Sequence, residues 1–240
     1  MSLLGPRFVD GDQLDVAGAV VRLRVHPRAR RVSLRLDRAR REVIATAPNV
    51  RRLAEAASFA QSRSDWIVER LAELPAARPI SPGTDIELFG HTVRLEQAAS
   101  GIDPSEPNVL VVRGEGDAFA RAAIRKIKRR ALQVLSDRTA VHCQRLDARL
   151  PSIAIMDAKG RWGSCRAGFP GKPAAIRYSW RLALAPFEVA DYVAAHECAH
   201  LLEQNHGPRF WAHVSALVGD HRPHRAWLRA EAARLHAFGG

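Results

Sequence analysis

The sequence predicts an α+β protein, and three observations support that fold class. Short runs that alternate apolar and polar residues, typical of half-buried strands, occur in both halves of the chain. Stretches that repeat apolar residues every three to four positions, typical of amphipathic helices, follow these runs. The chain has 240 residues, of which 47% are hydrophobic, and this length is sufficient to bury a substantial core.

The first half of the chain predicts a β-rich module. Residues 1–18 are expected to form a loose tail, and residues 32–36 and 43–47 flank a charged turn at 37–41, which indicates a hairpin. The other predicted elements are a strand at 19–25, a helix at 50–74, a linker with three prolines at 75–83, a second hairpin of strands at 86–88 and 92–95, and a strand at 109–112.

A change of pattern after Gly114 predicts a second domain. Residues 117–146 have the spacing of a long amphipathic helix, whose apolar positions include Phe119, Ile124, Ile127, Leu132 and Leu135. Predicted strands at 153–156, 161–165 and 175–180 and helices at 186–203, 210–218 and 225–238 follow it. The predicted organisation is a tail at 1–18, an N-terminal β/α module at 19–114 and a core at 115–240.

The composition limits the classes of function. A net charge of +12 suggests nucleic acid as a partner. However, the basic residues are almost all arginines spread along the chain, and no zinc-finger, RNP or helix-turn-helix pattern accompanies them. Three cysteines without paired spacing fit a reducing compartment. Without a signal sequence or an apolar run of about eighteen residues, the protein is expected to be cytoplasmic and to have no membrane partner.

The segment His196-Glu197-Cys198-Ala199-His200, inside a predicted helix, is the strongest functional signal. At about 100° per residue, His196, His200 and Glu197 lie at roughly 0°, 40° and 100° around the helix axis. Two imidazoles one turn apart can bind one zinc ion, and the glutamate between them can take a proton from an attacking water. The motif therefore predicts Zn²⁺ as cofactor and Glu197 as the catalytic residue.

A catalytic zinc ion needs a third protein ligand, and His206 is the best candidate. Asn205 and Gly207-Pro208 would end the helix and let the chain turn back towards the metal. Several later residues are rival third ligands: His213, His221, His224 and Glu231.

Three segments resemble the YgjP-like metallopeptidase family, which is related to the SprT-like zinc proteases. They are RWGSC at 161–165, DYVAAHECAHLLEQNHGPRFW at 191–211 and RAWL at 225–228, with weaker similarity at 29–37, 64–71 and Phe89-Gly90. The resemblance implies a zincin-like core, with helices packed on a small mixed sheet, zinc on His196, His200 and His206, and Glu197 as general base. Cys198-Ala199 departs from the larger apolar residues expected there.

The RWGSC segment has two interpretations. Arg161, Trp162, Gly163 and Ser164 can form a sheet edge that binds an extended substrate through main-chain hydrogen bonds, with Arg161 on an anionic group. Alternatively, Trp162 fills the core and Gly163 makes a bend. A nucleophilic role for Cys165 is a weaker hypothesis, because it requires a nearby base and a positive environment.

The leading functional hypothesis is a zinc metallopeptidase that acts on a peptide or protein. One alternative keeps the metal but hydrolyses nucleotide phosphoanhydrides, whose phosphates the arginine-rich N-terminal module would hold. Another is a protease recruited to DNA, which would bind nucleic acid in a salt-dependent manner.

Overall fold

A computed structural model of the chain describes residues 8–37, 40–74, 79–98, 108–158 and 160–239. The α+β class is confirmed, because six α-helices and three small sheets are present in these ranges. The chain divides into two compact units, one up to residue 76 and one from residue 77. Parts of three predicted segments lie outside the described residues: positions 1–7 of the tail, 38–39 of the turn and 75–78 of the linker.

The first unit is a four-stranded mixed sheet with two helices. Its strands are β1 (Gln13–Val16), β2 (Ala19–Val25), β3 (Ser33–Asp37) and β4 (Glu42–Ala47), in the order β1-β2-β4-β3. The predicted hairpin is confirmed as the antiparallel β3–β4 pair, and β2 pairs with β4 in parallel. Leu23 and Val43 of the sheet pack with Leu53 and Ile67 of the helices into a core of their own.

Two predictions for this unit are wrong. Residues 13–16, assigned to a loose tail, form β1, because Leu14 and Val16 alternate with polar residues and Val16 is buried in the core. The single helix predicted at 50–74 is instead a 3₁₀ turn (Val50–Arg52), α1 (Leu53–Gln61) and α2 (Ser64–Ala72). The helix is interrupted after Gln61, and Ile67 of α2 is still buried in the core of this unit.

The second unit contains two three-stranded sheets and four helices. Its elements are β5 (Asp85–Leu88), β6 (His91–Gln97), β7 (Val109–Val112), α3 (Gly116–Arg145), β8 (Ser152–Met156), β9 (Gly163–Arg166), β10 (Ala175–Ser179), a 3₁₀ helix (Trp180–Leu184), α4 (Phe187–Ala199), α5 (Pro208–Val218) and α6 (Arg222–Ala237). The sheet orders are β5-β6-β7 and β8-β10-β9. The second predicted hairpin and the long helix are thereby confirmed.

The sheet β5-β6-β7 belongs to the second unit rather than to the first. Strand β5 contacts the 3₁₀ helix Trp180–Leu184 and β7 contacts α3, so its apolar residues join the core of the second unit. Ile80, from the predicted linker, is buried in that core as well. The predicted module at 19–114 therefore spans parts of both units.

The core of the second unit is built around α3 and α4. Phe119, Ile127 and Leu135 of α3 are fully buried at the predicted positions, and Tyr178 of β10 packs with them. Leu132, another of the predicted apolar positions, is exposed instead. Within the described ranges, no helix combines the length and the apolarity needed to cross a membrane.

Candidate metal centre

Helix α4 carries His196 and Glu197 and is buried on almost all sides. Of its thirteen residues, nine are buried, several of them small: Val189, Ala190, Tyr192, Val193, Ala194, Ala195, Glu197, Cys198 and Ala199. The Cys198 Sγ atom lies 3.9 Å from the carbonyl oxygen of Thr139 on α3. The small side chains at 198 and 199 thus allow α3 and α4 to pack closely.

The turn after α4 brings His206 back towards the helix. The helix ends at Ala199, and not at Glu203 as predicted. The amide of Leu201 donates to the Cys198 carbonyl and that of Leu202 to the Ala199 carbonyl, so the last turn tightens to 3₁₀-type bonds. The chain therefore reverses direction early enough for His206 to face His196.

His196, His200 and His206 converge on one point. One ring nitrogen from each lies within 4.8 Å of the other two, and the Nε2 atoms of His196 and His206 are 3.1 Å apart. His200 Nδ1 donates a hydrogen bond to the Glu203 carbonyl oxygen at 3.1 Å, which leaves its Nε2 lone pair free. The arrangement is that of three imidazoles able to bind one cation.

Burial keeps the imidazoles of His196 and His200 neutral. It lowers the pKa of His196 to about 3, aided by the positive potentials of His200, His206 and Arg225. Burial also lowers the pKa of His200, although the hydrogen bond to the Glu203 carbonyl raises this pKa in part. Neutral imidazoles offer lone pairs to a metal ion, so the protonation states suit ligation at neutral pH.

Glu197 is a buried carboxylate without a hydrogen-bonding partner on one oxygen. Only 5% of the residue is exposed, and its Oε2 contacts no donor in the described part of the chain. Burial raises the pKa of Glu197 to about 7, against the opposing positive potential of Arg161. A carboxyl group with a pKa near neutrality can both accept and return a proton.

Gly163 at the start of β9 lies directly against Glu197. A Cβ atom on Gly163 would stand 2.3 Å from Glu197 Oε1, which is closer than two such atoms can approach. Strand β9 pairs only with β10 within the described residues and is thus an edge strand of its sheet. Strand β9 also contacts α4, the helix that carries His196 and Glu197.

The other residues of the predicted edge have different environments. Arg161 is exposed, and Ser164 pairs with Arg177 of β10. Trp162 packs on the core and stacks on His236 with ring centroids 5.1 Å apart. Burial and the charge of Glu197 raise the pKa of Cys165 to about 11, so its thiol is protonated and unsuited to act as a nucleophile.

The rival third ligands do not join the three-histidine group. Glu231 pairs with Arg234, while His221 stacks on Trp211 with centroids 4.4 Å apart. His224 stacks on Tyr192, and His213 lies on α5. The group that meets in the described ranges consists of His196, His200 and His206.

A cavity of about 560 Å³ opens beside His196 and Glu197. Several of its lining residues were not identified as functional from the sequence: Tyr192, Val193, Arg225, Leu228, Arg229 and Ala232. Their spacing in the sequence could have identified them. Tyr192 lies one turn before His196 on α4, and positions 225, 228, 229 and 232 have the i, i+3, i+4, i+7 pattern of one helix face.

Residues 30–231 match the family of the YgjP-like, metallopeptidase domain. The chain therefore belongs to this family of metallopeptidases, as the sequence motifs predicted, and the family implies a metal ion as cofactor. No significant match was found among curated proteins or among solved structures.

Proposed function

We propose that this chain is a zinc-dependent peptidase in which His196, His200 and His206 hold the metal and Glu197 is the general base. The observation that carries the proposal is the convergence of three imidazole nitrogens within 4.8 Å of one another. Three protein ligands and an open fourth position are typical of catalytic zinc sites. Membership of a metallopeptidase family supports the peptide bond as the target.

The donor set fits zinc in chemistry, and one pair of its nitrogens also fits in spacing. Tetrahedral zinc with Zn–N bonds of about 2.0–2.1 Å keeps its ligand nitrogens about 3.4 Å apart. The Nε2 atoms of His196 and His206 lie 3.1 Å apart, close to that separation. A bound zinc ion supplies Lewis acidity, which lowers the pKa of water and polarises a carbonyl group.

Glu197 is the group that would move the proton. Its Oε2 is buried and has no hydrogen-bonding partner in the described ranges, so it is available to a water molecule. In the proposed reaction, the carboxylate accepts a proton from the attacking water and later donates it to the nitrogen of the leaving amine. The absence of a side chain at Gly163 leaves room for the carboxylate beside β9.

Strand β9 is the proposed platform for the substrate backbone. As an edge strand beside α4 it offers main-chain donors and acceptors to an extended peptide. Gly163 and Ser164 would contact the substrate through their backbone. Arg161 and Trp162, which directly precede the strand, would lie at the end of this binding edge. The combination of metal helix and adjacent edge strand supports a zincin-like core for the second unit.

The two alternatives from the sequence gain no support from the family match. Hydrolysis of nucleotide phosphoanhydrides and protease action at DNA therefore stay hypotheses. A parallel assay of nucleoside triphosphates, and of DNA binding at increasing salt, tests both.

The test is zinc content measured together with hydrolysis of a peptide library. We expect about one zinc per chain in the wild type and a large loss in His200→Ala and His206→Ala. The matched control His213→Ala removes a histidine outside the trio and should retain zinc. Glu197→Gln should retain zinc and fold but lose about 10²- to 10⁴-fold in hydrolysis rate.

Three results would overturn the proposal. Zinc lost in His200→Ala but kept in His206→Ala would move the third ligand elsewhere, with Glu231 as the next candidate. No zinc even after reconstitution, or full hydrolysis by Glu197→Gln, would exclude the proposed mechanism.

A further inference from the structure

One wall of the cavity beside Glu197 is a single face of α6. Arg225, Leu228, Arg229 and Ala232 have helical spacing i, i+3, i+4 and i+7, and all four line the cavity. Val193 and Trp162 contribute apolar surface from the other walls. The cavity thus combines an apolar lining with two guanidinium groups one helical turn apart.

The two cavity arginines differ from the other two arginines of α6. Arg222 pairs with Asp220 at 2.8 Å, and Arg234 pairs with Glu231. Among the carboxylates of the described residues, none forms an ion pair with Arg225 or Arg229. Both are exposed to the solvent of the cavity, so their charges are available to a ligand.

Arg225 is also held in place by its neighbours. Its guanidinium carbon lies 5.7 Å from the ring centre of Trp211, a distance at which cation–π attraction operates. Trp211 is itself fixed, since its Nε1 donates to the His206 carbonyl oxygen at 3.1 Å. The arginine is thereby linked to the same segment that carries the third histidine.

We propose that Arg225 and Arg229 form a carboxylate-binding subsite, so that this enzyme prefers peptides with an acidic group next to the scissile bond. The inference rests on the proposed peptidase function. Guanidinium groups bind carboxylates through short charge-assisted hydrogen bonds, and the apolar walls accept the methylene groups of a glutamate side chain. The carboxylate can come from an acidic side chain or from the C-terminus of the peptide.

The first test determines cleavage sites in a proteome-derived peptide library by mass spectrometry, with the zinc-loaded full chain. We expect glutamate or aspartate to be enriched about tenfold over their amides at one position near the cleaved bond. Cleavage at a constant distance from free C-termini, lost with amidated peptides, identifies the terminal carboxylate instead. Arg225→Gln and Arg229→Gln should abolish the preference, and Arg229→Glu should favour lysine.

Arg222→Gln is the matched control, because this exposed arginine lies on the same helix outside the cavity. It should leave the preference unchanged. Cleavage without acidic preference, or a preference that survives both cavity variants, overturns the subsite while leaving the peptidase function intact.

A second test does not depend on hydrolysis. N-acetylglutamate and N-acetylglutamine are titrated into metal-free protein, because a carboxylate also binds zinc, and the arginine Nε–Hε NMR signals are followed. We expect N-acetylglutamate alone to shift the signals of Arg225 and Arg229, with those of Arg222 unmoved. Equal signal shifts with both compounds, or no shifts with either, would overturn the proposal. Shifts with N-acetylglutamate alone, in a protein that cleaves no peptide, would support the anion subsite and count against the peptidase function.

Discussion

At the scale of single residues, the site depends on the space that Gly163 leaves for Glu197. The carboxylate occupies the volume in which any other residue at 163 would have its Cβ, 2.3 Å from Oε1. Glu197 is buried, and the helix that carries it is buried along most of its length, so space beside the carboxylate is limited. The position of the proposed general base is therefore set by a glycine on a different element.

We predict that Gly163→Ala lowers the hydrolysis rate while zinc content is retained. The added methyl group must push the Glu197 carboxylate away from its position, and a displacement of about 1 Å can cost on the order of 10²-fold in rate. Steady-state kinetics should show the loss mainly in kcat.

Gly160→Ala is the control for this prediction. A Cβ at Gly160 meets no atom of the described residues within 4 Å, so this variant should behave as the wild type. If Gly163→Ala were as active as Gly160→Ala, the contact with Glu197 would have no catalytic consequence.

At the scale of elements, α4 is tied to α3 by a partly buried charged cluster. Asp191 Oδ1 accepts hydrogen bonds from Arg138 Nε at 2.7 Å and from His142 Nε2 at 2.6 Å, and both partners lie on α3. Burial alone would raise the pKa of Asp191, but the bonds from His142 and Arg138 outweigh it and hold this pKa below its usual value. The cluster thus fixes α4, which carries His196 and Glu197, against α3.

We predict that Asp191→Asn destabilises the fold by about 2 to 3 kcal/mol at pH 7, because it leaves Arg138 without its partner. The pKa of Asp191 is lower in the folded than in the unfolded state. Its contribution to stability is therefore complete above the unfolded value of about 3.9 and is lost as the pH falls through the folded value. Urea unfolding from pH 7 to pH 2 should show the wild type and the variant converging in acid.

Asp85→Asn provides the comparison, because it removes an exposed ion pair with Arg94 in the same unit. Exposed pairs contribute little, so this variant should follow the wild-type curve. A constant gap between wild type and Asp191→Asn down to pH 2 would contradict the role assigned to the Asp191 carboxylate.

At the scale of the whole molecule, all proposed zinc ligands belong to the second unit. Zinc that binds the folded state stabilises it by about 4 kcal/mol at a free concentration of about 1,000 Kd.

We predict that zinc slows hydrogen exchange in α4, α5 and the turn between them, and leaves β1–β4 unchanged. Hydrogen-exchange mass spectrometry with and without zinc measures this, with His206→Ala as the variant expected not to respond. Equal protection of both units would contradict the prediction.

The sequence by itself was sufficient for the α+β class, most elements and the family. Local patterns carry this information: alternation in β2 and β4, the long apolar repeat of α3 and the spacing of His196, Glu197 and His200. These features depend on residues near one another in the chain, and they are therefore readable from it. The break between α1 and α2 and the early end of α4 were missed, because packing decided them.

Only the tertiary structure showed which distant residues meet. Gly163 against Glu197, the cluster of Asp191 with Arg138 and His142, and the arginines of α6 beside the cavity join elements far apart in sequence. No local pattern specifies such contacts, since each arises from how whole elements pack against a shared core. The sequence determined which groups can perform the chemistry, and the packing of α3, α4, α6 and β9 decided how they are arranged.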